Sequence, residues 1–75
     1  MYEQVLSVLK EVKPTRNLEN VSDIIEGGYL DSFELMLLIS KLDEVFDIEI
    51  TIDDIIPENF NSIDAIVKMV KSIKQ

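Results

Sequence analysis

The sequence predicts an all-α fold, a small four-helix bundle with three long helices, one short helix and a long loop between helices one and two. In three segments, apolar residues recur at helical spacing. The one alternating segment has no second strand-like segment to pair with. The 75 residues are 47% hydrophobic, which is enough for one core. We therefore predict a single domain over residues 1–75.

Helix one is predicted over Tyr2–Val12, because its apolar residues fall on one side of a helix. Pro14 follows at once, and the segment up to Asp31 is polar and irregular. We expect a long loop in which Gly27-Gly28 gives the backbone the freedom to turn into helix two. Its apolar side chains should hold it to the core: Leu18, Val21, Ile24, Ile25 and Leu30.

Helix two is predicted from about Ser32 to Phe46, with apolar residues on two sides. One arc should face the core: Leu35, Leu38, Ile39, Leu42, Val45 and Phe46. Phe33, Met36 and Leu37 fall outside that arc. Helix two could be the central, most buried helix. A bundle of this size can hardly surround it, however, so we expect these three side chains to be exposed, and exposed apolar clusters often mark binding sites.

In the last third of the chain, the sequence pattern predicts an extended loop, a short helix and a long helix. Thr51 and Asp54 can cap a short helix from Ile52 to about Ile55, which Pro57 ends by disfavouring helical backbone at Ile56. Asn59-Phe60-Asn61 should be a connector, with Phe60 in the core. The final helix starts at Ser62, a good N-cap residue. Its inner face is Ile63, Ile66, Val67, Val70 and Ile73, and its solvated stripe is Lys68, Lys71 and Lys74.

Composition excludes most catalytic chemistry. The chain has no Cys and no His, which removes thiol and imidazole catalysis, disulfides and the usual zinc ligands, and we predict no metal site. No basic leader and no apolar run of membrane-spanning length is present, so we expect a cytoplasmic protein without a membrane span.

The formal net charge is −8, and most of it lies in one segment. Residues 26–64 contain eleven acidic residues and one basic residue, Lys41, a local balance of −10. Phosphate binding needs Lys and Arg, so nucleic acid is not an expected partner. The acidity either keeps a small protein in solution or steers it toward basic patches on other proteins.

The Asp31-Ser32 pair stands at the entrance of helix two. With Glu34 three residues later, Asp31 can form a variant of the capping box, in which each side chain accepts from the other residue's backbone N–H. Ser32 would then be the first helical residue, with its hydroxyl free for a phosphate that the helix dipole favours. Alternatively, Ser32 is itself the cap and nothing more.

The run Gly27-Gly28-Tyr29-Leu30-Asp31-Ser32-Phe33-Glu34-Leu35, followed by Leu38, Leu42, Phe46, Asp47 and Ile50, resembles the acyl carrier protein family. The resemblance covers almost the whole chain. The family's usual Asp-Ser-Leu stands here as Asp31-Ser32-Phe33, which keeps an apolar side chain after the serine.

The resemblance implies a carrier rather than an enzyme. Ser32 would receive phosphopantetheine from coenzyme A through a separate magnesium-dependent phosphopantetheinyl transferase, which Asp31 would contact. The thiol of that arm would carry an acyl or aminoacyl group as a thioester. Partner ligases, synthases or acyltransferases with basic docking patches would bind a monomer through Phe33, Glu34, Met36, Leu37, Asp43 and Glu44.

Two departures from the family pattern bear on the cargo. Leu37 stands where an acidic residue is expected, and Lys41 replaces a small apolar residue, which weakens a role in general fatty acid synthesis. We rank a stand-alone carrier with an unassigned cargo first. A D-alanyl carrier for teichoic acid modification, which Leu30-Asp31-Ser32-Phe33 also resembles, comes second. A helical interaction module without a cofactor is the alternative from another class.

Overall fold

The computed structural model describes the whole chain, Met1–Gln75, as an all-helical bundle. Its helices are α1 (Tyr2–Val12), α2 (Ser32–Phe46), α3 (Pro57–Phe60) and α4 (Ile63–Lys74), with a 3-10 helix at Ile52–Asp54. The predicted fold class is confirmed: three long helices carry the bundle, and there are no strands. The long loop between α1 and α2 is also present.

One apolar core joins the three long helices. All five predicted residues of α1 are buried: Val5, Leu6, Val8, Leu9 and Val12. Helix α4 buries Ile63, Ile66 and Val70 as predicted, and Met69, which the prediction omitted. Phe60, only 1% exposed, belongs to the same core. Val67 and Ile73 pack against this core while remaining half-buried.

Helix α2 follows the predicted core arc with one exception. Leu38, Ile39, Leu42 and Phe46 are buried, and Leu35 is half-buried. Val45, predicted to be in the core, is 45% exposed. It lies at the edge of the arc and in the last turn of the helix, so the prediction for Val45 is wrong.

The segment after α2 contains two short elements where one was predicted. The predicted short helix is a 3-10 turn, Ile52–Asp54, and Asp54 Oδ2 accepts from both Thr51 N and Thr51 Oγ1 at 3.0 Å. Ile56 is extended, as the following proline requires. Pro57 does not simply end a helix, because it also occupies the first position of α3, where the missing N–H costs nothing. The predicted connector at Asn59 and Phe60 is therefore helical.

Asn61 ties the long loop to the far end of the chain. Its side-chain Oδ1 accepts from the backbone N–H groups of Ile25 and Glu26 at 3.0 and 3.2 Å. Its backbone oxygen accepts from Ile24 N at 2.9 Å. Gly28 then turns the chain at a φ of 75°, a conformation that side chains disfavour. These contacts fix the loop just before α2 begins.

None of the helices combines the length and apolar character needed to cross a bilayer.

Candidate functional site

The entrance of α2 has the capping box predicted from the sequence. The Asp31 carboxylate accepts from Glu34 N at 2.7 Å, and Glu34 Oε1 accepts from Asp31 N at 3.0 Å. Asp31 has extended backbone angles, so the helix starts at the next residue. Asp31, and not Ser32, therefore caps α2.

Ser32 occupies the first helical position and is exposed. Because Asp31 is the cap, the Ser32 hydroxyl has no structural role at the helix end. The capping box also leaves the backbone N–H groups of Ser32 and Phe33 without a protein acceptor. A helix N-terminus with free N–H groups favours an anion such as a phosphate. The geometry thus places an exposed hydroxyl oxygen beside two free backbone N–H donors.

Glu34 is held by a second contact that the sequence did not predict. Lys13 Nζ, from just beyond the end of α1, donates to Glu34 Oε1 at 3.2 Å and to Oε2 at 3.1 Å. The two side chains are 29% and 20% exposed, so the ion pair is largely shielded. No helical spacing links positions 13 and 34, and only the packing of α1 on α2 brings them together.

An exposed apolar surface begins beside Ser32, as expected. Phe33 is 77% exposed, Met36 60% and Leu37 37%. Leu37 therefore packs partly against its neighbours, and Phe33 and Met36 present most of the free apolar area. We call these three residues the α2 apolar face.

The acidic residues proposed for this surface have different surroundings. Glu44 is exposed, whereas Asp43 is half-buried and its Oδ1 accepts from Ile50 N at 2.9 Å. Glu34 is engaged by Asp31 N and Lys13, as described above. Glu44 is thus the free carboxylate of this set, and the other two hold local structure.

Sequence reasoning missed two residues that hold this end of the molecule and one exposed apolar residue of the 3-10 turn. Lys13 and Asn61 hold the capping box and the preceding loop, and both contacts span more than twenty residues of sequence. Ile52, assigned to the short helix, is 84% exposed on the 3-10 turn. No local signal could have found this exposure, because Ile63 also follows an N-cap residue and is buried.

No family model matches this chain. Curated relatives do: D-alanyl carrier proteins of two Bacillus cereus strains and of Bacillus anthracis are each 31% identical over 74 residues. The alignments cover 96% of this chain and 94% of each relative. The chain belongs to the acyl carrier protein family. Its role is that of a carrier protein. The similarity to these relatives extends over nearly the full length of the chain.

Phosphopantetheine is the group that carrier proteins of this family hold in general. The entrance of α2 fits that group, because the exposed Ser32 hydroxyl lies outside the cap and two backbone N–H groups are free for a phosphodiester. The terminal thiol of the arm would supply the sulfur chemistry that a chain without cysteine lacks.

Proposed function

We propose that this protein is an aminoacyl carrier that holds phosphopantetheine on Ser32 and a D-alanyl group on the arm's thiol. The observation that carries the attachment site is the Asp31 cap, which leaves Ser32 helical, exposed and unused. The choice of cargo is supported by the names of the Bacillus relatives. The Leu37 and Lys41 departures agree with it, because they separate the chain from carriers of general fatty acid synthesis.

In this proposal the chain supplies position, and a partner enzyme supplies catalysis. The Ser32 oxygen forms a phosphoester and displaces the nucleotide part of coenzyme A, while a phosphopantetheinyl transferase with magnesium takes the serine proton. The base is assigned to the partner, since this chain has no histidine and Asp31 Oδ1 is bonded to Glu34 N. The free N–H groups of Ser32 and Phe33 then hold the phosphodiester.

The α2 apolar face is the proposed docking surface for the transferase and for the ligase that loads the cargo. Apolar anchors supply most of the energy of a small interface, and surrounding charges mainly set the encounter rate. Glu44 and the other exposed carboxylates favour partners with a basic rim. We propose that the carrier acts as a monomer in the cytoplasm, where coenzyme A and ATP are available to its partners.

The attachment site is tested by intact mass. Purified chain is incubated with coenzyme A, magnesium and a broad-specificity transferase, alongside Ser32→Ala as the matched control. The wild type should gain one phosphopantetheine mass, and the variant none. A wild type that stays unmodified would support an interaction module without a cofactor and contradict the proposal.

The cargo is tested on the modified chain. A D-alanine-activating ligase with ATP should add one alanyl mass that hydroxylamine removes, as a thioester requires. The same chain is offered to a fatty-acid-activating ligase as the comparison. Loading by the fatty-acid-activating ligase alone would contradict the D-alanyl cargo and assign a fatty acyl cargo. It would not contradict Ser32 as the attachment site.

A further inference from the structure

Lys13 is the one cation that reaches the capping box of α2. It lies 21 residues before Glu34 and contacts both oxygens of its carboxylate. Glu34 Oε1 accepts from Asp31 N at the same time. A single carboxylate therefore joins the end of α1 to the residue that caps α2. The chain's other ion pair, between Lys41 and Glu11, is longer at 3.6 Å and has a more exposed carboxylate.

We propose that Lys13 is a positioning residue for the modification of Ser32, acting through Glu34. This inference rests on the proposed function. Lys13 holds the Glu34 side chain in the conformation that bonds Asp31 N, and so fixes the backbone on both sides of Ser32. Lys13 would not contact the phosphate on Ser32 itself, because its ammonium is engaged by Glu34.

The positive charge of Lys13 should also favour the modification of Ser32. Asp31 and Glu34 are both acidic and stand one residue before and two residues after Ser32. Coenzyme A is strongly anionic, so two uncompensated carboxylates would oppose its approach. Lys13 compensates one of them within a partly shielded pair, where screening by salt is weaker than at the open surface. The helix dipole can then act on the phosphate with less opposition.

The test compares two lysine variants that change the net charge equally. Lys13→Ala removes the contact to the capping box. Lys41→Ala removes a lysine nine residues beyond Ser32, which is about 13 Å along a helix. We expect Lys13→Ala to lower kcat/KM for modification by about threefold to tenfold, the size of a lost partly shielded contact, and Lys41→Ala to change it by less than about twofold. Equal losses in the two variants would overturn the proposal, because they would reflect net charge alone.

A second background separates positioning through Glu34 from direct contact with the transferase. Glu34→Gln can still accept from Asp31 N but has no charge to compensate. In that background Lys13→Ala should change kcat/KM by less than about twofold. An undiminished loss would show that Lys13 does not act through Glu34.

Amide hydrogen exchange gives a readout that does not need the modification reaction. Lys13→Ala should speed exchange at the Asp31 amide by about threefold or more, and Lys41→Ala should leave it unchanged. Unchanged exchange in Lys13→Ala would overturn the coupling. If the wild type accepts no phosphopantetheine, the proposed function fails, whereas this exchange measurement still decides whether Lys13 holds the capping box.

Discussion

Two helices of this protein have a serine at the N-terminal end, and the two serines occupy different positions. At α4, Ser62 is the N-cap, and its Oγ accepts from Ala65 N at 3.0 Å. At α2, Asp31 is the N-cap and Ser32 stands one position later. The following residues differ as sharply: Ile63 is 1% exposed, while Phe33 is 77% exposed.

The difference teaches that the position of a serine relative to the N-cap decides whether its hydroxyl is bonded or free. At α4 the capping serine has its oxygen bonded to the backbone, and the next residue, Ile63, is buried. An aspartate one position earlier takes over the cap and moves the serine into the first turn. The hydroxyl is then free, and the apolar residue after it remains on the surface beside it. A shift of one position thus separates a serine bonded at the end of its helix from a serine whose hydroxyl is free.

The largest expected effect separates the two serines by chemistry. Ser32→Ala should abolish phosphopantetheine transfer completely, because it removes the accepting oxygen. Ser62→Ala should be modified like the wild type, since Ser62 Oγ is bonded within its own helix. Intact mass after incubation with coenzyme A and a transferase measures both. Modification of Ser32→Ala would show that another hydroxyl is the attachment site.

The next effect contrasts the surfaces of the two helices. Met36→Glu places a charge within the α2 apolar face and should weaken loading by the partner ligase by about 1–3 kcal/mol, the loss of one buried apolar side chain. Its thermal stability should change little, because Met36 is 60% exposed. Ser72→Glu adds the same charge to an exposed position of α4 and serves as the control.

Loading rates at limiting carrier concentration, and melting curves for the same samples, check this prediction. Equal weakening in Ser72→Glu would mean that added negative charge is responsible. A Met36→Glu variant that melts early would place Met36 in the core and contradict its docking role.

Much of this comparison was predictable, because it depends on local sequence. The bounds of α1 and α2, the Asp31 cap and the exposure of Phe33 and Met36 follow from side-chain periodicity and capping chemistry within a few residues. The same reasoning identified Ser62 as an N-cap, but it left two candidates for the cap of α2, Asp31 and Ser32.

The rest depends on contacts between distant parts of the chain, which periodicity does not report. Lys13 meets Glu34, and Asn61 meets Ile25, only after the helices pack. Val45 was misplaced because a helical arc has no sharp edge, and the neighbouring elements decide which border residue is covered. Pro57 was interpreted as a stop, although the same fixed φ suits the first residue of a new helix.

A smaller effect is expected on stability, where alanine substitutions of the two serines should differ. Ser62→Ala should lower the free energy of unfolding by about 1 kcal/mol, the usual cost of removing an N-cap side chain. Ser32→Ala should change it by no more than a few tenths of a kcal/mol, since the cap remains and alanine is a good helix former. Urea unfolding of the two variants checks this. Equal destabilisation would mean that Ser32 contributes to the end of α2 after all.

The smallest expected effect concerns the acidity that surrounds α2 but not α4. Of the eleven acidic residues between Glu26 and Asp64, only Glu34 belongs to an ion pair, so most of this charge is uncompensated. Self-repulsion should therefore lower stability at low ionic strength, and added salt should relieve it, since the Debye length falls to about 10 Å at 0.1 M. The melting temperature should rise by a few degrees with sodium chloride, and with magnesium at lower concentration.

No group of three acidic side chains is arranged to hold a metal ion, so the magnesium effect should grow gradually without saturating at a site. A melting temperature independent of salt would show that the carboxylates lie too far apart to repel one another.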